Sequence, residues 1–500
     1  MIYLDDVIKR ARALSGHMGL FESVLDDILT QALTPDVSLD IQIDLDHRIQ
    51  RLEQIQTAGL TNNVLFKTEL ENLSPPTWRN FESLNAPLIK QKMVADRLYL
   101  GREQKNGLTL LRLDRYSKMI AHTVIESHLK DDAPFLIMFG DSDFNTLVIN
   151  HAPEHHVEAL AQSFLNRVDK VTASTAIRES GSPSRIQKNK TKHDLFAKIV
   201  RPYGERTMSG QIRWVLTVIP SVFDAERDDI PHDEYTSHYL EMCDQPLDYD
   251  DTPHKELIKA LNTASELRFT NRDGTDVSMS LIDHDGKHFT FCNSTHKRNV
   301  PGSEVFSAPR RDSVQGIVVA RGKHPLRGES TKTIRDLTLW FDQGRIIKFK
   351  TASTEEDALF QSHLDRDPNN YYIGEIGIGT NPYLKAHIAN TLLVEKIGGQ
   401  FHLALGGCYT MTDYVGDPVH VNNGNHTANG DHWDIATMLY GREGRIYLDG
   451  RLIMDHGRFL EPQYAVLNDG WAAVPMDKRP AHRQNLLTFP LRFEREIESS

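Results

Sequence analysis

Cysteine is scarce in this sequence, which has only Cys243, Cys292 and Cys408 among 500 residues. Their wide separation excludes a paired-cysteine zinc motif and provides no disulfide framework. A chain of this length without disulfides is typical of a reducing compartment. We therefore expect a cytoplasmic protein.

Long apolar runs are also missing. No stretch of about 18 apolar residues occurs, and the amino terminus, Met1 to Asp6, carries acids instead of a basic-then-apolar signal segment. Acidic residues outnumber basic ones, since the chain has 69 Asp and Glu and 57 Lys and Arg, and its net charge is -12. We therefore expect no general affinity for nucleic acid or for membranes.

The remaining composition, 39% hydrophobic and 25% charged, is that of a globular protein. Five hundred residues exceed one hydrophobic core, so several domains are expected. The patterns predict a helical amino-terminal extension over 1–108, an α/β domain over 109–228 and a larger metal-binding catalytic domain over 229–500. The predicted fold class is multidomain α/β and α+β.

The predicted α/β domain contains strands that alternate with helices. The run 133–139 is almost wholly apolar, which predicts a strand buried on both faces. A helix around 156–168 and strands at 171–174 and 213–219 follow, so we expect a small, mostly parallel sheet. One helical stripe before them is formed by Leu113, Tyr116, Ile120 and Val124.

Turn-forming dipeptides predict an antiparallel, strand-rich carboxy-terminal part. Asp-Gly favours two-residue hairpins, because both turn positions need a positive φ. Three such dipeptides and one Gln-Gly lie between apolar or alternating runs: Asp273-Gly274, Asp285-Gly286, Asp449-Gly450 and Gln343-Gly344.

Two strand-like segments in this part each carry a histidine. His402 alternates with Phe401 and Leu403, so it lies on the face that otherwise has only small residues. His432 and Asp434 share a face because they are two positions apart, and Trp433 points the other way. Small neighbours leave room for a metal ion beside an imidazole. A histidine satisfied in the core or at the surface is the alternative for each.

Two glutamates occur in similarly apolar surroundings. Glu304 follows a Pro-Gly turn and begins a short strand, and Glu375 lies in the glycine-rich strand 373–379. A carboxylate in such a place is costly to bury unless it is paired or bound to metal. An exposed edge position is the alternative for either residue.

Together, two Glu, two His and one Asp form a nitrogen and oxygen ligand set suited to Zn, Co or Mn. Five ligands exceed what one catalytic zinc usually takes, so two divalent metal ions about 3.5–4 Å apart are expected. Such a pair supports hydrolysis, because one ion lowers the pKa of a bound water and the other polarises a carbonyl.

These motifs resemble the aminopeptidase T and aminopeptidase S family of metallopeptidases. The resemblance covers roughly 113–492, through the blocks around Glu304 and Glu375, Phe401-His402-Leu-Ala-Leu-Gly406 and His432-Trp-Asp434. It implies a homodimeric two-metal enzyme that removes the amino-terminal residue of a peptide substrate. The metal ligands it implies are Glu304, Glu375, His402, His432 and Asp434; the catalytic residues are Glu304, Glu375 and Tyr409.

Two alternatives stay open, of which the first is opposed by the presence of Glu304 and Glu375, and departures from the family pattern leave the substrate open. The segment before His402 reads Glu395-Lys-Ile-Gly-Gly-Gln400 where the characterised peptidases have an Asp-Glu-Asn stretch, and the helical extension is additional. A mononuclear non-haem iron ring-cleaving dioxygenase would need only His402, His432 and Asp434. A specialised peptide-processing hydrolase, with the extension over the mouth of its site, is the second alternative.

Overall fold

The structure is a computed structural model. It describes residues 4–19, 22–33, isolated positions between 45 and 56, 91–179, 189–294, 298–480 and 483, apart from short gaps at 93, 103–106, 115–116, 141, 327–328, 385, 413–417 and 428–429. Among these residues, no helix combines the length and the apolar character that crossing a bilayer requires. The predicted stripe residue Tyr116 lies outside the described residues.

Two helices form the described start of the chain, α1 (Leu4–Leu14) and α2 (Glu22–Ala32). Their apolar faces pack into a cluster that also contains Leu45, Ile49 and Leu52. The helical character predicted for this region therefore holds where it is described. Val94 and Leu98 are not part of this cluster, because they pack in the core of the following α/β unit.

That unit is a parallel sheet with strand order β2-β1-β3-β4-β8. Its strands are β1 (Leu108–Leu113), β2 (Phe135–Phe139), β3 (Val171–Glu179), β4 (Arg213–Ile219) and the short β8 (Asn299–Val300). The helices of this region are α3 (Lys118–Lys130), α4 (Ser142–His151), α5 (Glu154–Val168), α6 (Lys190–Met208), α7 (Val222–Asp228), α8 (His232–Cys243) and α9 (Leu247–Thr263).

Two details of the predicted α/β domain are wrong. Leu113 ends strand β1 and is not part of the helical stripe, since α3 begins only at Lys118. The strand at 135–139 exists but forms the edge of the sheet, so Ile137 and Phe139 are 46% and 60% exposed instead of buried. An apolar run indicates a strand without indicating how many neighbours that strand has.

The carboxy-terminal part is built on two antiparallel sheets, as the turn pattern predicts. The first has the order β12-β11-β10-β6-β5-β18-β19-β20, and the second has the order β17-β14-β13-β9-β7. Their strands are β5 (Glu266–Thr270), β6 (Asp276–Ser280), β7 (Cys292–Asn293), β9 (Glu304–Ser307), β10 (Gln315–Leu326), β11 (Glu329–Asp342), β12 (Arg345–Lys350), β13 (Ile373–Gly379), β14 (Gln400–Gly406), β17 (His432–Met438), β18 (Arg445–Leu448), β19 (Arg451–Asp455) and β20 (Arg458–Phe459). A small sheet pairs β15 (Met411–Thr412) with β16 (Pro418–Val419), and the remaining helices are α10 (Thr354–Leu364), α11 (Thr391–Val394) and α12 (Ala465–Asp469).

Two of the four predicted turns are two-residue hairpins. Gln343-Gly344 and Asp449-Gly450 have a positive φ at both positions, as the connections β11–β12 and β18–β19 require. Asp273-Gly274 lies inside a longer loop in which only the glycine has a positive φ. Asp285-Gly286 turns between Ile282 and His288, which form an isolated bridge.

The largest hydrophobic cluster draws on both antiparallel sheets. Phe269 of β5 stacks on Phe401 of β14, with ring centroids 4.0 Å apart. Phe401, Leu403 and Leu405 all belong to this cluster, so the alternate residues of β14 point to the opposite face. One face of β14 thus packs in the hydrophobic core, and the other carries His402 toward the candidate site.

Candidate metal centre

Four neighbouring strands of the β17-β14-β13-β9-β7 sheet carry the predicted ligands. Glu304 begins β9, Glu375 lies in β13, His402 in β14, and His432 and Asp434 in β17. The register of the antiparallel strands determines which ligands are neighbours: His402 is opposite Gly377, and Asp434 is opposite Ala404. Residues separated by up to 130 positions therefore project from adjoining positions on one face.

The first group of converging atoms is formed by Glu304, Glu375 and His402, all of which are buried. Nε2 of His402 lies 2.9 Å from Oε1 of Glu304 and 3.4 Å from Oε1 of Glu375. Two carboxylate oxygens thus approach the same ring nitrogen. This is a three-ligand set with one nitrogen and two oxygen donors.

The second group is formed by Glu375, His432 and Asp434. Nε2 of His432 lies 3.3 Å from Oδ1 of Asp434 and 3.5 Å from Oε2 of Glu375. Glu375 therefore belongs to both groups and directs a different oxygen to each. Trp433, between the two β17 ligands, is buried in the hydrophobic cluster on the other face.

These spacings fit metal coordination. Four ligands placed tetrahedrally about 2.1 Å from a zinc ion lie roughly 3.4 Å from one another. Oε2 of Glu375 and Oδ1 of Asp434 are buried and make no well-formed hydrogen bond, although Nε2 of His432 lies 3.5 and 3.3 Å from them. Burying such atoms is costly unless a cation satisfies them. The other ring nitrogen of His432, Nδ1, lies 2.7 Å from the carbonyl oxygen of Gly407. That contact orients Nε2 toward the site, as in many metal-binding histidines.

The close charges of the candidate ligands shift the pKa values of these residues. Burial disfavours the charged form of His432, but Asp434 and Glu375 outweigh it and raise its pKa to about 9. Burial also opposes ionisation of Asp434, yet His432 holds the pKa of that carboxyl well below its usual range. Burial raises the pKa of Glu375. Without a cation, the site therefore retains protons that a metal would displace.

A lysine that the sequence interpretation left without a role lies inside this cluster. The side chain of Lys396 is 1% exposed, and its ammonium group donates to Oε2 of Glu304 and, at 3.0 Å, to Oε2 of Glu395. Burial raises the pKa of Glu395 to about 8, although the lysine opposes this shift. The available signal was a Glu-Lys pair in the otherwise apolar and small segment 392–399.

A cavity of about 490 Å³ opens onto these residues. Glu304, Glu375 and Asp434 line it together with Glu395 and Lys396. Elsewhere its wall is formed by Arg298, Trp214, Phe306, Tyr409, Met411 and Val419. The wall therefore combines four acidic and two basic side chains with aromatic and apolar residues.

Tyr409, predicted at the site by resemblance, lines the same cavity beside His432, with ring centroids 4.7 Å apart. Burial, followed by the charge of Glu375, raises the pKa of the Tyr409 hydroxyl well above its ordinary value. The hydroxyl therefore stays protonated at neutral pH. His426, near the second histidine in sequence, is exposed.

All five predicted ligands thus lie together on one face of one sheet. Their role as metal ligands stays a prediction.

Comparison with known proteins identifies the family. The profile of the thermophilic metalloprotease (M29) family matches residues 103–440. Aminopeptidase AmpS of Bacillus subtilis is 30% identical over 117 residues, which are 23% of this chain and 27% of the relative. Aminopeptidase T of Thermus thermophilus is 27% identical over 171 residues, which are 32% of this chain and 40% of the relative. The matched stretches therefore span less than half of either curated relative.

A solved structure, wild-type AmpT from Thermus thermophilus, superimposes with a TM-score of 0.57 at 19% identity. The match covers 74% of this chain and all of that one, which shows a shared fold. The family profile covers well over half of the chain and includes every predicted ligand. The chain belongs to the thermophilic metalloprotease (M29) family.

Proposed function

We propose that this protein is a metal-dependent aminopeptidase that removes the amino-terminal residue of peptides by means of two divalent ions. The family is one of metalloproteases, and the two curated relatives are named as aminopeptidases. Metal dependence follows from the family. The number of ions, their identity as Zn, Co or Mn and the peptide substrate are our inference.

One observation carries the two-metal proposal, namely that Glu375 belongs to both groups of converging donors. Its Oε1 lies near His402, and its Oε2 lies near His432. A carboxylate shared in this way is the natural bridge between two ions. Glu304 and His402 would complete one half of the site, and His432 and Asp434 would complete the other.

Ions bound there would supply an activated water and a polarised carbonyl, which is the chemistry of peptide hydrolysis. The protein's own residues would orient the substrate. The aromatic and apolar part of the cavity wall suits a substrate side chain. The protonated hydroxyl of Tyr409 is a hydrogen-bond donor for a substrate oxygen.

The decisive experiment combines metal analysis with peptide assays. Purified protein would be stripped with a chelator, reloaded separately with Zn²⁺, Co²⁺ or Mn²⁺, and tested on short peptides with either free or acetylated amino termini. We expect two ions per chain and release of the first residue from free peptides alone. Folded protein that carries two ions and cleaves none of these peptides would contradict the proposal.

The dioxygenase alternative needs His402, His432 and Asp434 around a single iron. In the structure, His402 converges with Glu304 and Glu375, and the other two residues form a separate group with Glu375. This division favours two ions over one facial triad. A count of one iron per chain, with oxygen consumption on an aromatic substrate, would favour the alternative instead.

Three expectations from the sequence remain predictions. These are a homodimer, a cytoplasmic location and an amino-terminal extension that narrows the range of peptides. Light scattering of the purified protein tests the first, fractionation of the native cell tests the second, and the truncation described in the Discussion tests the third.

A further inference from the structure

Lys396 places a full positive charge inside the cluster of carboxylates. It is among the largest fully buried side chains of the described residues. Its position is fixed by its own backbone, because α11 ends two residues earlier and the N–H of Asn381 donates to the Lys396 carbonyl at 2.8 Å. A buried ammonium group in a fixed place exerts a strong local field.

The lysine acts on the two halves of the site unequally. Its ammonium group donates to Oε2 of Glu304, while Oε1 of the same carboxylate faces His402. Its second partner is Glu395, which lies outside both groups of converging donors. One oxygen of Glu304 is thus engaged by the lysine, and the other is directed to the position a cation would take.

We propose that Lys396 is a positioning residue that makes the two halves of the site unequal, so that a divalent cation binds more weakly at Glu304 and His402 than at His432 and Asp434. This inference rests on the proposed two-metal function. Lys396 limits Glu304 to one donor oxygen and repels a cation on that side. The second half has its own carboxylate, Asp434, whose Oδ1 is buried and makes no well-formed hydrogen bond.

The consequence is ordered loading. One ion would occupy the His432 and Asp434 half at low metal concentration, and a second would join at Glu304 and His402 only when free metal is abundant. The enzyme would therefore be isolated with one ion per chain and would need added metal to fill the second position.

The test is equilibrium dialysis of the full chain against buffered Zn²⁺, with elemental analysis of bound zinc, so that binding is read without an activity assay. The informative variant is Lys396→Met, which keeps the length and removes the charge. Lys396→Arg is the matched control that keeps the charge. His402→Ala and His432→Ala assign each dissociation constant to one half.

We expect the unmodified protein to bind zinc at two positions with different dissociation constants. His402→Ala should abolish binding at the position with the higher dissociation constant. Lys396→Met should tighten binding at that position by about tenfold or more, because like charges a few ångströms apart inside a protein repel strongly. The tighter constant should change by less than about threefold, since the link from the lysine to that half is indirect and runs through Glu395, whose side chain is hydrogen-bonded to Asp434. Lys396→Arg should keep the two constants apart.

Removing the lysine leaves the buried carboxylate of Glu304 without its cation, so Lys396→Met is expected to be less stable without metal. The double variant Lys396→Met with Glu395→Gln also removes the second ionisable partner of the lysine and serves if the single variant does not fold. Equal constants in the unmodified protein, or parallel changes of both in Lys396→Met, would overturn the inference. Two bound ions without peptide cleavage would overturn the proposed function and leave this inference standing.

Discussion

Gly377 lies directly opposite His402 on the neighbouring strand, and the imidazole occupies the space that a side chain at residue 377 would need. A Cβ atom on Gly377 would lie 2.1 Å from Cε1 and 2.2 Å from Nε2 of His402, and 3.0 Å from Oε1 of Glu304. The positions of His402 and Glu304 thus require a glycine at residue 377. The small residues that make room for the imidazole lie across the sheet as well as along its own strand.

The substitution Gly377→Ala should therefore displace His402 and Glu304 while the sheet remains intact. We expect the half of the site with these residues to lose its ion and peptidase activity to fall by about 10- to 100-fold, as when the groups that orient metal ligands are disturbed. Gly204→Ala is the matched control, because a Cβ there meets open space. If Gly377→Ala kept its metal content and activity, the His402 imidazole would be able to bind from another position, and this prediction would be wrong.

Glu375→Gln should affect both halves of the site, because Glu375 contributes an oxygen to each. We expect metal affinity to fall for both ions, whereas His402→Ala should reduce it mainly for one. Elemental analysis after dialysis at a fixed Zn²⁺ concentration separates these outcomes. If Glu375→Gln lost a single ion and kept the other at full affinity, the carboxylate would not be a bridge.

The stability of the fold should depend on pH through His324, which lies in β10 and is not one of the candidate ligands. Burial, followed by the neighbouring His387, lowers the pKa of His324 to about 3. Because the folded pKa lies below the unfolded value of about 6.5, this histidine's contribution to stability is complete above that value and is lost as the pH falls toward 3.

Between pH 7 and pH 4.5, this loss amounts to about 2–3 kcal/mol. His324→Gln should therefore show a smaller fall in the free energy of unfolding over that interval than the unmodified protein does. Urea titrations at the two pH values measure the difference, and the exposed His151→Gln is the control. An equal pH dependence in both proteins would mean that His324 can be protonated without unfolding.

Truncation should distinguish the amino-terminal helices from the residues that follow them. Val94 and Leu98 are fully buried in the α/β core, and the hydroxyl of Thr175 donates to the Leu98 carbonyl at 2.8 Å. Deleting 1–108 should therefore cost several kcal/mol, since each buried aliphatic side chain contributes about 1.5–3 kcal/mol. Deleting 1–56 removes a separate cluster and should leave the melting temperature of the remainder nearly unchanged.

The shorter deletion also tests the lid hypothesis. If the extension narrows the substrate range, the chain that begins at 57 should hydrolyse generic dipeptides faster than the full chain does. Equal rates would assign the extension to another role. A large loss of stability in the shorter deletion would show that its cluster supports the rest of the fold.

Much of the candidate site was predictable from the sequence because alternation along a strand is a local property. The pattern around His402 indicated which face it occupies, and the two-residue spacing of His432 and Asp434 indicated that they project together. Glu304 and Glu375 were identifiable because carboxylates are rare in strands of small and apolar residues. The ligand chemistry of the five residues predicted that they act together, and the resemblance implies the same set.

Other features depend on which segments become neighbours in space. The sequence itself determined the parallel and antiparallel halves, the faces of β14 and β17 and the identities of the candidate ligands. Only the tertiary structure decided that Leu113 is a strand residue, that 135–139 forms an exposed edge, that Glu375 serves two groups, and that Lys396 lies against Glu304. Periodicity is set by the geometry of one chain segment, whereas strand order, edge position and the pairing of buried charges arise from contacts between distant segments.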